Sequence, residues 1–172
     1  MRNVRLEKIK DFVNSSQNEP EVLNKTIGVE VLWNMDEESS QMNANVSFSK
    51  GQEYVEIDMP DFLGGEGRKP SPLHYCLVGI ASCFLGTFAT ICKELGLNIE
   101  SLKIRAKNKV NLTLPLGLGD KPVTEGIDLE IIIKSSENPE YLEKAKEEAL
   151  KRCPGVWCMK NSIPVKAIIS NQ

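Results

Sequence analysis

Leu73-His74-Tyr75-Cys76-Leu77-Val78-Gly79-Ile80-Ala81-Ser82-Cys83-Phe84-Leu85-Gly86-Thr87-Phe88-Ala89-Thr90-Ile91-Cys92 runs for twenty residues without Lys, Arg, Asp or Glu, directly after Pro70 and Pro72. That is long enough to cross a bilayer. However, His74, Gly79, Ser82, Gly86, Thr87 and Thr90 lie within it, and its flanks are amphipathic strand-like segments with no reason to sit beside a single span. The run reads instead as a helix buried inside a protein or a dimer. At about 100° per residue, Leu77, Ile80, Phe84, Phe88, Ile91 and Leu95 share one face, with Gly79, Ser82, Gly86 and Ala89 opposite. The bulky face is expected to lie on a sheet. The small stripe is expected to admit another backbone, such as the same helix of a second subunit.

Before the helix, three stretches alternate apolar with polar or small residues: Ile27, Val29, Val31 and Trp33; Met42, Ala44, Val46 and Phe48; Val55, Ile57 and Met59. They predict three half-buried strands in an antiparallel meander, linked through Asn34 to Ser40 and Lys50-Gly51-Gln52, with Gly64 to Gly67 as a closing loop. A short helix over residues 4 to 13 is expected to stop at the polar stretch Asn14 to Pro20. Beyond the central helix, Ile99 to Leu114 and the alternation Ile127, Leu129, Ile131, Ile133 predict two strands around a Gly- and Pro-rich loop, Pro115 to Gly126. Asn138 as cap and Pro139 at the first turn begin a helix whose apolar face, Leu142, Ala145, Ala149 and Leu150, ends near Arg152 at Cys153-Pro154-Gly155. Ile163 to Ile169 is expected as a last strand. The expected fold is α+β in one domain, 1–172: a β-meander lobe at about 22–63, a central helix at about 72–95 and a second β/α lobe at about 99–170.

The chain has 172 residues, 41% hydrophobic and 26% charged, with net charge −3. A chain this long can build a core without disulfide or metal staples. Lys and Glu alternate along it, with no basic stripe for nucleic acid. A charged N-terminus with no apolar signal segment, and an odd five cysteines, predict a reducing compartment, the cytoplasm. Cys76, Cys83, Thr87 and Thr90 fall on the flank between the two helix faces, and Cys92 points about 180° from Cys83. Cys76 lies about 10 Å along the axis from Cys83, too far for a disulfide without unwinding. A partner for Cys83 must come from elsewhere in the chain or from another subunit.

Lys69-Pro70-Ser71-Pro72, Gly79-Ile80-Ala81-Ser82-Cys83-Phe84 and Leu95-Gly96-Leu97-Asn98-Ile99-Glu100-Ser101-Leu102 together resemble the central segment of the OsmC/Ohr family. Arg152-Cys153-Pro154 after an amphipathic helix, and Ile163-Pro164-Val165, are similar to its later landmarks. The resemblance implies an intertwined homodimer, no metal or organic cofactor, and a two-cysteine peroxidase. Cys83 would attack the peroxide and Cys153 would resolve the sulfenic acid as a disulfide, which an external dithiol then reduces. Two family features are absent. Leu73 and His74 stand where the family places a carboxylate, and no arginine occurs between Lys10 and Gly67. Arg68 is the nearest replacement for that arginine, with Lys69 or a partner subunit's histidine at the same position as His74 as further sources of charge.

Against this stands the ordinary role of a buried helix cysteine as a small core residue. On that reading the chain is a non-catalytic dimer that binds a small apolar ligand or senses oxidants. Cys76 and Cys92 are expected to pack. Cys158, five residues after Cys153, offers an alternative resolving thiol, and Trp157 a cover for the site. Lys144, Lys146, Glu147, Glu148 and Lys151 are expected on a solvated helix face. His74, the single histidine, has no neighbours at metal-ligand spacing.

Overall fold

The computed structural model describes residues 3–171, so Met1, Arg2 and Gln172 of the expected 1–172 domain lie outside the described residues. The chain divides into two compact units at Val78/Gly79, residues 7–78 and residues 79–171, with 3–6 grouped with the second. The division falls within the central helix.

In the first unit, α1 (Leu6–Asn18) runs further than its polar sequence suggests. Ser15 and Ser16 do not break it, because their hydroxyls donate to the carbonyls of Phe12 and Val13 in the preceding turn. The helix stops only before Pro20, which opens a 3-10 turn, Pro20–Leu23. Strands β1 (Glu30–Trp33), β2 (Met42–Phe48) and β3 (Gly51–Ile57) form the expected antiparallel meander in the order β1-β2-β3. They are not evenly half-buried. Every β1 residue is exposed, and Ile27 and Val29 lie outside the ladder altogether. The apolar core of this unit is confined to Ala44 and Ile57 among the described residues. Buried Asp58 organises the loop that follows, accepting the backbone N–H groups of Arg68 at 3.0 Å and Glu66 at 3.3 Å. A Cβ on Gly65 would overlap the Met59 carbonyl, which is why the chain carries no side chain there.

Helix α2 (Pro72–Glu94) begins with Pro at its first turn, and its last turn closes in a Schellman motif. Gly96 adopts φ +72°, its N–H donating to Lys93 and that of Leu97 to Cys92. Leu95, expected on the bulky face, therefore lies past the helix end and is exposed.

The second unit holds the larger core. Phe84, Phe88 and Ile91 of α2 are buried as the wheel requires, together with Cys92. They pack with Leu97, Ile99 and Val156 and with the apolar face of the paired strands β4 (Ile99–Val110) and β5 (Thr124–Ser135), namely Leu102, Ile104, Leu129, Ile131 and Ile133. Helix α3 (Pro139–Arg152) is capped by Asn138, whose side chain accepts from the Glu140 N–H at 3.0 Å. Its fully buried residues are the alanines Ala145 and Ala149, which share this core with the phenylalanines of α2. Burial of this kind gives roughly 1.5–3 kcal/mol for each large side chain. By length and hydropathy α2 could cross a membrane, but its aromatic face belongs to this core.

Two expectations at the C-terminal end are corrected. Cys153-Pro154-Gly155 ends α3 but also starts another helix, α4 (Pro154–Lys160), because a proline that cannot continue one helix is well suited to begin the next. Ile163 to Ile169 forms no strand: no ladder partner faces it, and Val165, Ile168 and Ile169 are 89%, 89% and 96% exposed.

Candidate functional site

The structure brings Cys83 and Cys153 together in the second unit, with sulfur atoms 3.5 Å apart across 70 positions of sequence. Cys83 stands in the middle of α2, its carbonyl receiving the Thr87 hydroxyl at 3.0 Å. Cys153 stands at the junction of α3 and α4 and serves both: its N–H closes α3 on Ala149, and its carbonyl accepts the first α4 bond from Trp157. It is fully buried. Arg152, the preceding residue, grips Glu94 at the end of α2 with both guanidinium branches, at 2.6 and 3.1 Å, tying the junction to the helix that carries Cys83. At 3.5 Å the sulfurs are in contact but unbonded, against about 2.05 Å in a disulfide.

Gly155 is the residue that sequence reasoning missed. Read there only as a helix stop, it lies against both thiols. A Cβ at this position would lie 3.3 Å from Cys83 Cβ, 3.4 Å from Cys83 Sγ and 3.8 Å from Cys153 Sγ. The signal available in the sequence was a glycine two residues after a cysteine and one after a proline.

Burial pushes the Cys83 thiol above its ordinary value of 9.0. The Gly155 N–H pulls it down, and the neighbouring Cys153 and Cys158 push it up again. No positive charge is among these influences. Arg68 is engaged in the first unit, donating to the Glu38 carbonyl at 2.7 Å, and Lys69 is paired with Glu56 at 2.6 Å. The His74 ring meets the Ser71 hydroxyl at the start of α2.

The other cysteines separate clearly. Cys92 is buried in the core, its thiol pushed up to about 11 by desolvation, whereas Cys76, expected to pack, is exposed. Cys158 lies half-buried on α4, and Trp157, suggested as a cover, is 54% exposed. In the same unit a cavity of about 420 Å³ opens between Ile80, Leu129, Leu150, Val156, Met159 and Lys160, with neither Cys83 nor Cys153 in its lining. Ile80 is one turn before Cys83 on α2, and Val156 follows Gly155. Among the described residues no three His, Cys, Asp or Glu side chains converge as a metal-ligand set.

A family model described as OsmC-like protein matches residues 65–167, more than half of the chain and all of this site. The chain belongs to the OsmC-like family. Its α+β fold is shared by an OsmC-like protein from Mycoplasma pneumoniae, with TM-score 0.59 at 17% identity over 80% of this chain and 89% of that one. An organic hydroperoxide resistance protein OsmC from Legionella pneumophila aligns with TM-score 0.58 at 17% identity, over 80% and 92%. An OsmC-like protein of unknown function from Vibrio cholerae aligns at 0.56 and 15%, over 77% and 92%. No curated protein matches by sequence. The OsmC-like assignment thus rests on the family match, and the structural relatives establish its fold.

Proposed function

We propose that this OsmC-like chain is a thiol-dependent peroxidase that reduces organic or hydrogen peroxide, with Cys83 as the peroxidatic and Cys153 as the resolving cysteine. The observation that carries the reading is the 3.5 Å approach of the two sulfurs, brought together from α2 and the α3–α4 junction across 70 positions of sequence. The Cys83 thiolate attacks the terminal peroxide oxygen, the O–O bond breaks, and the alcohol or water leaves with a proton. Cys83 is then a sulfenic acid. The Cys153 sulfur attacks it, an S–S bond forms and the sulfenic hydroxyl departs as water. An external dithiol reduces the disulfide by two exchange steps and is itself oxidised. The name of the Legionella relative is in keeping with this chemistry.

The thiolate needs a cation, and Arg68 is the proposed source. The working form is a homodimer in a reducing compartment such as the cytoplasm. Support for a second copy comes from apolar surface left without cover: the small stripe of α2, where Gly79, Ser82 and Gly86 are exposed, all of β1, and the unladdered Ile163 to Ile169.

The test treats reduced protein with one equivalent of cumene hydroperoxide, counts thiols and maps disulfides by mass spectrometry. Rapid loss of two thiols into a Cys83–Cys153 bond is expected. Cys153→Ser should instead leave a sulfenic acid that dimedone traps, and Arg68→Ala should slow the first step. Slow thiol loss unaffected by Cys83→Ser would overturn the reading.

The raised Cys83 pKa and the apolar cavity between Ile80, Leu129 and Val156 favour one alternative, a dimer that binds a small apolar ligand or registers oxidants without turnover. Stoichiometric oxidation with no catalytic peroxide consumption in excess dithiol distinguishes it.

A further inference from the structure

We propose that Cys158 is a third working thiol, which takes the disulfide over from Cys153 and presents it to the external reductant; this rests on the two-cysteine reading above. Gly155 is the α4 residue that faces Cys83, since its missing side chain would meet that sulfur at 3.4 Å. Cys158 follows Gly155 by three positions, on the same face of α4. Helical side chains lean toward the turn N-terminal to their own Cα, which inclines the Cys158 sulfur back over Gly155 and so toward Cys83. The influence of Cys158 on the Cys83 thiol is consistent with that placement. Exposure gives the arrangement its use. Cys153 is fully buried, whereas Cys158 is half-exposed, so a disulfide ending at Cys158 offers a dithiol a sulfur that one ending at Cys153 withholds.

Geometry also selects the bond. Cys153 and Cys158 are separated by five positions along α4, about 7.5 Å of rise, beyond the Cα separation that a disulfide spans. Cys158 therefore bonds to Cys83. Its thiolate attacks Cys83 Sγ, the Cys83–Cys153 bond breaks, and Cys153 leaves as a thiolate that takes up the proton Cys158 released. No electrons are gained or lost in this exchange. The incoming dithiol then attacks Cys158 Sγ, Cys83 leaves as thiolate, and the resulting mixed disulfide is closed by the second thiol of the reductant.

Diamide tests this without requiring peroxidase activity. After one equivalent of diamide and rapid alkylation of free thiols, peptide mapping of the wild-type chain should give both Cys83–Cys153 and Cys83–Cys158 bonds. Cys153→Ser, or Cys153→Ala should the serine disturb the core, should retain Cys83–Cys158. Cys158→Ser, a change on a half-exposed helix face, should form Cys83–Cys153 and then be reduced by dithiothreitol severalfold more slowly than wild type. Absence of the Cys83–Cys158 bond from the wild-type and both Cys153 variants, or an unchanged reduction rate in Cys158→Ser, overturns the proposal. A Cys83–Cys158 bond formed with diamide in a protein inert to peroxide would retire the peroxidase reading and leave this one standing.

Discussion

At Cys83 burial and a backbone N–H act on the thiol in opposite directions, and burial is the larger. Burial raises the thiol, and the Gly155 N–H is the one neighbouring group that lowers it. Gly155→Ala places a methyl 3.3–3.4 Å from Cys83, so that Cys83 or the α4 backbone must give by a few tenths of an ångström. Alkylation of Cys83 by iodoacetamide at pH 8 is therefore expected to slow severalfold in this variant, with the folded state retained by circular dichroism. Cys92 gives a second residue-scale prediction, with opposite use. Its thiol is neutral in the core, with a pKa raised from 9.0 to about 11. A raised pKa on an acidic group means that the unfolded chain loses the proton first. The stability contributed by neutral Cys92 is complete below pH 9 and is lost as pH rises through 11. Urea midpoints measured between pH 8 and 10.5 should fall, and should fall less steeply in Cys92→Ala, which starts from a lower stability because it opens a small cavity.

Among the elements, the junction of α3 and α4 matters most, because it places Cys153. Pro154 makes the chain leave one helix and enter another, and Cys153 supplies a backbone bond to each. The Arg152–Glu94 pair fastens the junction to the end of α2, but its side chains are 45% and 33% exposed, so solvent screens much of its attraction. Arg152→Ala is expected to cost about 0.5–1 kcal/mol, read as a small drop in thermal midpoint. Its effect on cross-linking should be larger in proportion, with slower Cys83–Cys153 closure under diamide. Glu94 is held below the usual carboxylate range by Arg152, so the stability from this pair is present above pH 4.5 and is lost as pH falls through the lowered value. These elements were unequally legible beforehand. Asn138-Pro139 announces the start of α3, and the 20-residue uncharged run announces α2, because capping and periodicity are local signals. Helix α4 has one such signal, Pro154, and its seven residues are too few to show a period.

For the molecule as a whole, the two units are unequal in what they bury. The second has a contiguous core of ten buried residues, whereas the three-stranded sheet of the first has Ala44 and Ile57 among the described residues. A sheet of that size needs an apolar face packed on something. The proposed homodimer supplies the cover, with Ile163 to Ile169 among the surfaces it occupies. Sedimentation should then show a dimer at micromolar concentration, and ending the chain at Asn161 should shift it toward monomer or insolubility. A full-length monomer under those conditions counts against the dimer. By itself the sequence determined the α+β class, the meander, the central helix and its aromatic face, since each follows from the spacing of apolar residues a few positions apart. It also singled out Cys83 and Cys153, through a resemblance, without the means to measure their separation. Only the tertiary structure decided that the two sulfurs lie 3.5 Å apart, that Gly155 lies against them, that Cys76 is exposed while Cys92 is buried, and that Arg68 rests on the Glu38 carbonyl. These depend on residues distant in the chain, packed within each unit, and no local pattern encodes them.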